Sequence, residues 1–451
     1  MYRSVGSDPA LLEGVLNGNM RGAKAALADG ANVNGSPRLL IPPISAAAAM
    51  NEVGMVKLMI KHGADPDRQA NRDVASPSTD IGVKICEGDR PLHVAAKLGR
   101  LEIVRLLLQW AGADPNATNK PGRTPLMAAC ACLDNRAEVV RSLLEAGADA
   151  TMADENGYTA LHVVGFYGRI DLVDVLHAEA PDTLSRVAST GETPLCIACA
   201  QGRENVVTRL LSLGATHPVS GDDHSACALS MAAMKGREGI VRILVEEGLG
   251  AVGGRTVVMP DAMYTAIRSR HAGVLRMLLA ADWEEPRSVC ANTAILGRRL
   301  LHYGAGYCYP AAVSVLLAAG ADENTRDFAQ LTPLDCIGLE PGPEANKVVS
   351  IGPGQEVAIR RMLQRGPAYR ARSWAWPAAA EDADTGGDDG GGGGRDTRRL
   401  GVASVWYSTA AKTPSVPRGM RIFQSKAKSC SSSSRRRLFV NVVGRYCQKA
   451  C

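Results

Sequence analysis

Short apolar segments recur in pairs along most of this chain, and a glycine turn follows each pair. The clearest copy spans residues 88–119, where an apolar segment, a glycine, a Leu- and Val-rich segment and a Gly-Ala-Asp turn follow one another. Apolar residues at Val139, Val140, Leu143 and Leu144 have the spacing of one face of an amphipathic helix. The pattern therefore predicts two short helices in each copy.

The copies recur with a nearly constant period. We anchor each copy at the residue that opens its first apolar segment, which is proline in half of them. Most successive anchors lie 33 to 38 residues apart, with one gap of 48. One helix pair cannot bury its own leucines, so the copies are predicted to stack into a solenoid of about ten units. The anchors are Ala10, Pro43, Pro91, Pro125, Ala160, Pro194, Ala228, Ala262, Leu300 and Pro333.

Capping residues support the helix boundaries. The hydroxyl of Thr124 is expected to cap the first helix of its copy, and Pro125 then occupies the first helical position, where no amide donor is needed. Gly147 ends the second helix, because glycine readily adopts the left-handed conformation that follows many helices.

The repeated unit resembles the ankyrin repeat. The resemblance rests on Thr-Pro-Leu-His-like tetrads, on Ala-Ala pairs in the first helices and on the Gly-Ala-Asp turns at 63–65, 112–114, 147–149 and 320–322. It covers roughly residues 8 to 366. It implies an all-α fold, a helix-turn-helix solenoid with β-turn or hairpin fingers, and it implies that the tetrad histidines His93, His162 and His302 hydrogen-bond backbone between adjacent units.

We expect three regions along the chain. Residues 1–34 form a degenerate N-terminal capping repeat, and residues 35–366 form the repeat array, with insertions near 68–87 and 340–353. Residues 367–451 contain a flexible Gly/Asp linker and a basic, disordered tail, because they offer no apolar periodicity from which to build a core.

Charge divides the chain. Residues 395–451 hold thirteen Lys and Arg against one acidic residue, Asp396, so this tail carries +12 and the remaining residues sum to −7. The tail is a candidate for nuclear import or for contact with nucleic acid. The twelve cysteines, without a secretory segment after Met1, favour reduced thiols in the cytoplasm or nucleus. No apolar run is long enough to cross a bilayer, so no membrane partner is expected.

The sequence offers no candidate for catalysis. It lacks a Walker-type phosphate loop, a Gly-x-Ser-x-Gly nucleophile motif and a His-Glu-x-x-His zinc motif. The pairs Cys130/Cys132 and Cys196/Cys199 fall in predicted first helices, and no second pair at suitable spacing completes a metal site. We expect these cysteines to pack as small buried residues, and we expect no metal and no cofactor.

The resemblance leaves partner binding as the expected function. In similar proteins the finger tips and the exposed side of each first helix contact a protein partner along a concave groove. The corresponding residues here are Lys97, Leu98, Arg123, Tyr158, Phe166, Tyr167, Glu192, Gln201, Met234 and Lys235. Further positions of this kind are Asp89, Arg268, Arg298 and Tyr307.

Aromatic residues concentrate in the fifth unit. Tyr158, Phe166 and Tyr167 are expected to form one exposed aromatic surface with a polar rim from neighbouring units, and aromatic anchors are common in protein interfaces. The prediction is a non-catalytic scaffold or adaptor that binds a protein through the groove. The alternative is a nuclear regulator whose basic tail contacts nucleic acid or an import receptor.

Overall fold

The computed structural model of the chain describes most of the predicted array. The described residues are 7–36, 39, 41–71, 85–132, 137–215, 228–247, 258–281, 291–295, 297–339 and 353–372. The described residues do not include most of the two predicted insertions, at 72–84 and 340–352. They also do not include the predicted linker and basic tail beyond residue 372.

The described residues form paired helices, which confirms the predicted all-α repeat fold. The chain divides into two compact units, Met1–Ala232 and Ala233–Cys451. The helices of the first unit are α1 Ser7–Leu16, α2 Met20–Ala28, α3 Pro43–Ala49, α4 Val53–Lys61, α5 Pro91–Lys97, α6 Leu101–Gln109, α7 Pro125–Cys130, α8 Ala137–Glu145, α9 Ala160–Tyr167, α10 Ile170–Glu179, α11 Pro194–Gln201 and α12 Glu204–Ser212.

The unit boundary falls within α13, Ala228–Met234. The second unit continues with α14 Glu238–Glu246, α15 Val258–Arg268, α16 Ala272–Ala280, α17 Leu300–Gly306, α18 Pro310–Ala318 and α19 Pro353–Arg372. A small antiparallel hairpin, β1 Ala294–Ile295 and β2 Arg298–Arg299, precedes α17.

Local chemistry places the helix ends where the sequence predicts them. The Thr124 hydroxyl accepts a hydrogen bond from the Met127 amide at 3.3 Å, so it caps α7, and Pro125 is the first residue of that helix. Gly147, just beyond α8, has φ 88°. This left-handed conformation is strained for a residue with a Cβ but not for glycine.

Three anchors differ from the prediction. Helix α1 begins three residues before Ala10 and α15 begins four residues before Ala262. Pro333 opens a series of turns over 333–338, where a helix was predicted. Helix α19, predicted near 356–365, extends to Arg372, beyond the residue 366 at which the array was expected to end.

Stacking of the first helices builds the core of the first unit. Helix α9 packs against α7 and α11, and the second helix α10 packs against α8 and α12. The approach of α9 to α11 is close at Gly165, because a Cβ there would lie 2.7 Å from the carbonyl oxygen of Pro194. The predicted stacking residues Leu161, Val163, Val173 and Leu176 are buried.

The second unit repeats this arrangement. Helix α14 packs against α16, α15 against α17, and α18 against both α16 and α19. The eighth copy lacks the Thr-Pro dipeptide, yet its second helix α16 buries the apolar residues Val274, Leu275, Leu278 and Leu279, as the repeat register predicts.

Candidate partner-binding surface

The turns that precede the first helices join one another through the backbone. The amide of Lys120 donates to the Glu87 carbonyl at 3.2 Å, and the Ser189 amide donates to the Asn156 carbonyl at 2.8 Å. Between them, the Glu155 amide donates to the Pro121 carbonyl at 3.1 Å. The fingers of four repeats in the first unit are therefore linked in one series, which holds their tips in register.

The tetrad histidines link adjacent repeats, which confirms the role implied by the resemblance. His93 Nε2 lies 2.9 Å from the Arg123 carbonyl oxygen, and His302 Nε2 lies 3.1 Å from that of Leu331. His162 Nε2 lies 3.4 Å from the Glu192 carbonyl oxygen, while its Nδ1 accepts from the Thr159 amide at 3.1 Å. Since Nδ1 accepts, the proton of the neutral ring lies on Nε2, which donates to the next repeat.

Burial keeps these imidazoles neutral. It lowers the pKa of His162 to about 4, although the backbone hydrogen bonds raise that pKa. Burial also lowers the pKa of His93 and of His302. A buried, neutral imidazole whose Nε2 contacts a carbonyl oxygen of the next repeat suits a structural link between repeats better than acid–base chemistry.

Arg123 was predicted to lie exposed at a finger tip, and this is wrong. Its side chain is only 5% exposed, and its Nε lies 3.4 Å from Oδ2 of Asp154. Oδ1 of Asp154 accepts hydrogen bonds from the amides of Asn156 and Tyr158 at 2.9 and 3.0 Å. The carboxylate thus organises its own finger and draws the arginine of the preceding finger into the interior.

Two further predicted tip residues, Arg298 and Asp89, are also buried by polar contacts. Arg298 Nε lies 2.9 Å from Oδ2 of Asp327, and both side chains are buried. Asp89, also predicted to be exposed, accepts from the Cys86 amide and from Nδ2 of Asn119, each at 2.8 Å. Charged finger residues at these positions hold the fingers together, so they are removed from the set of exposed tip residues.

Tyr158 and Glu192 do meet at neighbouring finger tips. The Tyr158 hydroxyl donates to Oε2 of Glu192 at 2.7 Å, and the hydroxyl of Thr190 donates to the same oxygen at 2.9 Å. The Tyr158 ring also packs on His162, with 5.5 Å between ring centroids. Both predicted tip residues are half-buried and present a polar, rigid edge.

Phe166 does not belong to an exposed aromatic surface. Its side chain is 7% exposed, in the last turn of α9, where it contacts the Tyr167 ring at a centroid distance of 5.1 Å. The close approach of α9 to α11 at the preceding Gly165 places this residue in the interior. Tyr167 is half-buried, so it remains available to a partner.

The ends of the first helices present side chains of different chemistry at one register. In four repeats of the first unit, the residue seven positions after the anchor is half-buried: Met50, Leu98, Tyr167 and Gln201. The equivalent Cys132 is buried, whereas Lys97, one position before Leu98, is half-buried. We define the inner face as these helix ends together with Tyr158 and Glu192. In the second unit, the predicted residues Met234 and Lys235 are half-buried and exposed, respectively.

A tyrosine cluster in the second unit was missed at the sequence level. The hydroxyls of Tyr264 and Tyr307 lie 3.2 Å apart, and the Tyr303 ring packs edge-on against Tyr264 with 4.7 Å between centroids. Burial raises the pKa of Tyr303 and of Tyr307. Tyr264 occupies the second position after its anchor, where three other repeats carry the tetrad histidine, and Tyr303 occupies the third position, where most repeats have a small or apolar residue; these departures are the signal that could have identified the cluster.

The described cysteines are buried, as predicted for packing residues. Burial raises the pKa of the Cys130 thiol to about 12, and Cys196 and Cys199 lie within the buried length of α11. Within the ranges that the structure describes, no group of three or more His, Cys, Asp or Glu side chains is placed to hold a metal ion. No helix in those ranges has the length and apolar character of a membrane span.

Comparisons with a family model and with individual known proteins agree with each other. The profile of a family described as ankyrin repeats, in three copies, matches residues 11–119, 92–186 and 166–252, which together exceed half of the chain. The chain is similar to mouse NF-kappa-B inhibitor delta, with 26% identity over 274 residues, or 57% of this chain and 76% of the mouse protein.

Two other relatives are much longer than the matched region. The ankyrin repeat protein nuc-2 of Neurospora crassa is 25% identical over 281 residues, which are 61% of this chain and 25% of that protein. The Caenorhabditis elegans homolog of transient receptor potential cation channel subfamily A member 1 is 30% identical over 229 residues, 50% of this chain and 18% of that protein. This chain therefore spans a quarter or less of either relative.

Proposed function

Because this chain belongs to the ankyrin repeat family, whose members generally mediate protein–protein interactions, we propose that it is a non-catalytic scaffold or adaptor that binds a protein partner through its inner face. One observation carries the proposal. Stacking buries the first helices along most of their length, yet four of them, α3, α5, α9 and α11, end in half-buried side chains of different chemistry at one register.

That combination suits recognition. Leu, Val and Ala fill the stacking faces, whereas the helix ends carry a methionine, a leucine, a tyrosine and a glutamine, which differ in shape and polarity. Tyrosine in particular is favoured in interfaces, because its ring offers apolar area and its hydroxyl a hydrogen bond. The hydrogen-bonded fingers hold the face rigid, which lowers the entropic cost of binding.

Site-specific photo-crosslinking tests the proposal. A benzophenone amino acid is introduced into the full chain at Tyr167 or at Gln201, and irradiation follows incubation with an extract of the source cells. We expect a discrete crosslinked protein from both positions. The same amino acid at Trp110, which is 70% exposed at the end of the second helix α6, is the matched control and should give little of that product.

Two results would contradict the proposal. Equal crosslinking from Trp110 would move the partner to the second helices. A discrete product from neither inner-face position, in a chain whose helical content and thermal melt are those of the unsubstituted protein, would remove the inner face as the binding site.

A further inference from the structure

Three successive turns between first and second helices join one another in the second unit. The His271 ring lies against Gly236, where an added Cβ would sit 2.6 Å from the ring. The Arg270 guanidinium lies over the Tyr309 ring at 5.6 Å, and the Tyr309 hydroxyl donates to the Arg270 carbonyl at 2.8 Å. We define the turn surface as residues 234–238, 268–273 and 307–309, which these contacts make continuous.

The turn surface carries an excess of positive charge. Lys235, Arg237 and Arg270 are exposed and Arg268 is half-buried, whereas the carboxylate on the same turns is that of Glu238, which lies against Gly273. In the first unit the equivalent turns are closer to balance. There Arg169 forms a 3.0 Å ion pair with Asp171, and Arg203 is followed directly by Glu204.

Aromatic rings lie beside these cations. The Tyr307 and Tyr264 hydroxyls are in contact, and both rings are half-buried. Burial raises the pKa of Tyr307, and the nearby charge of Arg268 lowers it by a smaller amount. A flat aromatic edge next to guanidinium and ammonium groups offers a partner both apolar area and charge.

We propose that the turn surface binds an acidic segment of the partner protein, whose carboxylates pair with Lys235, Arg268 and Arg270. This inference rests on the proposed function and extends it to the chemistry of the partner. Three stacked turns roughly 10 Å apart span about 20 Å, the length of about six extended residues. A nucleic acid fits less well, because its affinity grows with the number of phosphates that Lys and Arg neutralise, and the turn surface has four cations.

A labelled peptide tests the proposal. The probe is a fluorescein-labelled, extended peptide of roughly eight residues, half of them Asp or Glu around one Leu, and binding to the full chain is followed by anisotropy. We expect saturable binding that weakens with salt, and about tenfold weaker binding of the matched peptide with Asn and Gln in place of the acids. A single-stranded oligonucleotide of similar length is measured in parallel.

Variants of the full chain locate the site. Lys235→Gln should weaken peptide binding about threefold, and Lys235→Gln with Arg268→Gln about tenfold. Arg242→Gln, which removes an exposed cation from the second helix α14, is the matched control and should leave binding unchanged. Lys235 is exposed, so its single variant remains informative if substitution of the half-buried Arg268 disturbs folding.

Three outcomes would overturn the proposal. If peptide binding is unchanged in the Lys235 and Arg268 variants, the turn surface does not bind the acidic residues. Equal binding of acidic and neutral peptides would remove the charge argument. Tighter binding of the oligonucleotide, lost in the same variants, would make the turn surface a nucleic-acid site. None of these outcomes affects crosslinking from Tyr167 or Gln201, so the proposed function is tested separately.

Discussion

At the scale of single residues, burial decides how a polar or aromatic side chain of this repeat is used. His162 and Phe166 belong to the same helix, and both are buried. The imidazole forms hydrogen bonds with its own finger and with the next repeat, whereas the phenyl ring fills space where α9 lies close to α11. Tyr167, one residue further, keeps part of its ring at the surface.

Acid should destabilise the array through His162. Its pKa is about 4 in the folded state and about 6.5 when unfolded, so the unfolded state takes up the proton first. The contribution of neutral His162 to the free energy of unfolding is complete above pH 6.5 and is lost as the pH falls from 6.5 towards 4. Chemical denaturation measures the free energy of unfolding at pH 7 and at pH 5. Between these pH values it should decrease less in His162→Gln than in the unsubstituted protein. His62→Gln, at an exposed position, is the control; an undiminished pH dependence in His162→Gln would contradict the assignment.

Phe166 and Tyr167 should respond differently to truncation. Phe166→Ala removes a buried ring and should cost about 3 kcal/mol or more of unfolding free energy. Tyr167→Ala removes a half-buried ring and should cost about 1 kcal/mol, while weakening partner binding. Urea denaturation of both single variants measures the difference. Similar losses of stability would mean that both rings belong to the core.

At the scale of elements, side chains from one repeat complete the turns of the next. In the fingers, the aspartates at 154 and 327 hold backbone amides and an arginine of the preceding finger. In the turns after the second helices, Asn116 Nδ2 donates to the Gly147 carbonyl at 2.9 Å and its Oδ1 accepts from the Asp149 amide at 2.7 Å. Asn292 makes the same pair of contacts with Gly320 and Asp322.

Breaking the Arg298–Asp327 pair from one side should be costly. Arg298→Met leaves the buried carboxylate without its cation, and loss of one partner of a buried pair typically costs about 3–5 kcal/mol. Adding Asp327→Asn should recover part of that loss, because the charge is removed while acceptors for the finger amides remain. A double-mutant cycle by urea denaturation measures the coupling energy.

An exposed ion pair supplies the comparison. Arg141 and Glu138 lie 2.6 Å apart on α8, with half or more of each side chain exposed, and Arg141→Met should cost well under 1 kcal/mol. Additive losses in the Arg298 and Asp327 cycle would show that the two side chains are not energetically coupled.

At the scale of the whole molecule, the stability of the array comes from contacts between neighbouring stacked repeats. Removal of segments outside the stack should therefore leave the array folded. Residues 137–215 form an uninterrupted series of helices and fingers with buried stacking faces. By contrast, residues 68–87 and 373–399 show no apolar periodicity in the sequence.

Limited proteolysis should therefore cut first between about Ser373 and Arg399, as well as within 68–87. Regular repeats expose little extended backbone to a protease, because their amides are hydrogen-bonded in helices and fingers. Mass spectrometry of the fragments at low protease concentration identifies the sites. A first stable cut inside 137–215 would mean that the repeat assignment is wrong in that region.

The sequence by itself determined the repeat and most first-helix starts, and the role of the tetrad histidines followed from the resemblance to ankyrin repeats. The repeat and the helix starts depend on local periodicity, on capping residues and on a motif that recurs at fixed spacing, and all three can be identified without coordinates. It could not determine that the first-helix position at Pro333 forms turns, because Thr332, Pro333 and Leu334 match the helix-start pattern of the other repeats.

Only the tertiary structure decided which candidate surface residues are buried. Arg123, Arg298 and Asp89 are charged and lie at predicted tips, but their partners come from 29 to 31 residues away or from the turn they organise. Phe166 is buried because the neighbouring Gly165 lets α11 approach α9. Exposure depends on how far apart two helices stack, and that distance is set by residues of both repeats, so no single repeat's pattern contains it.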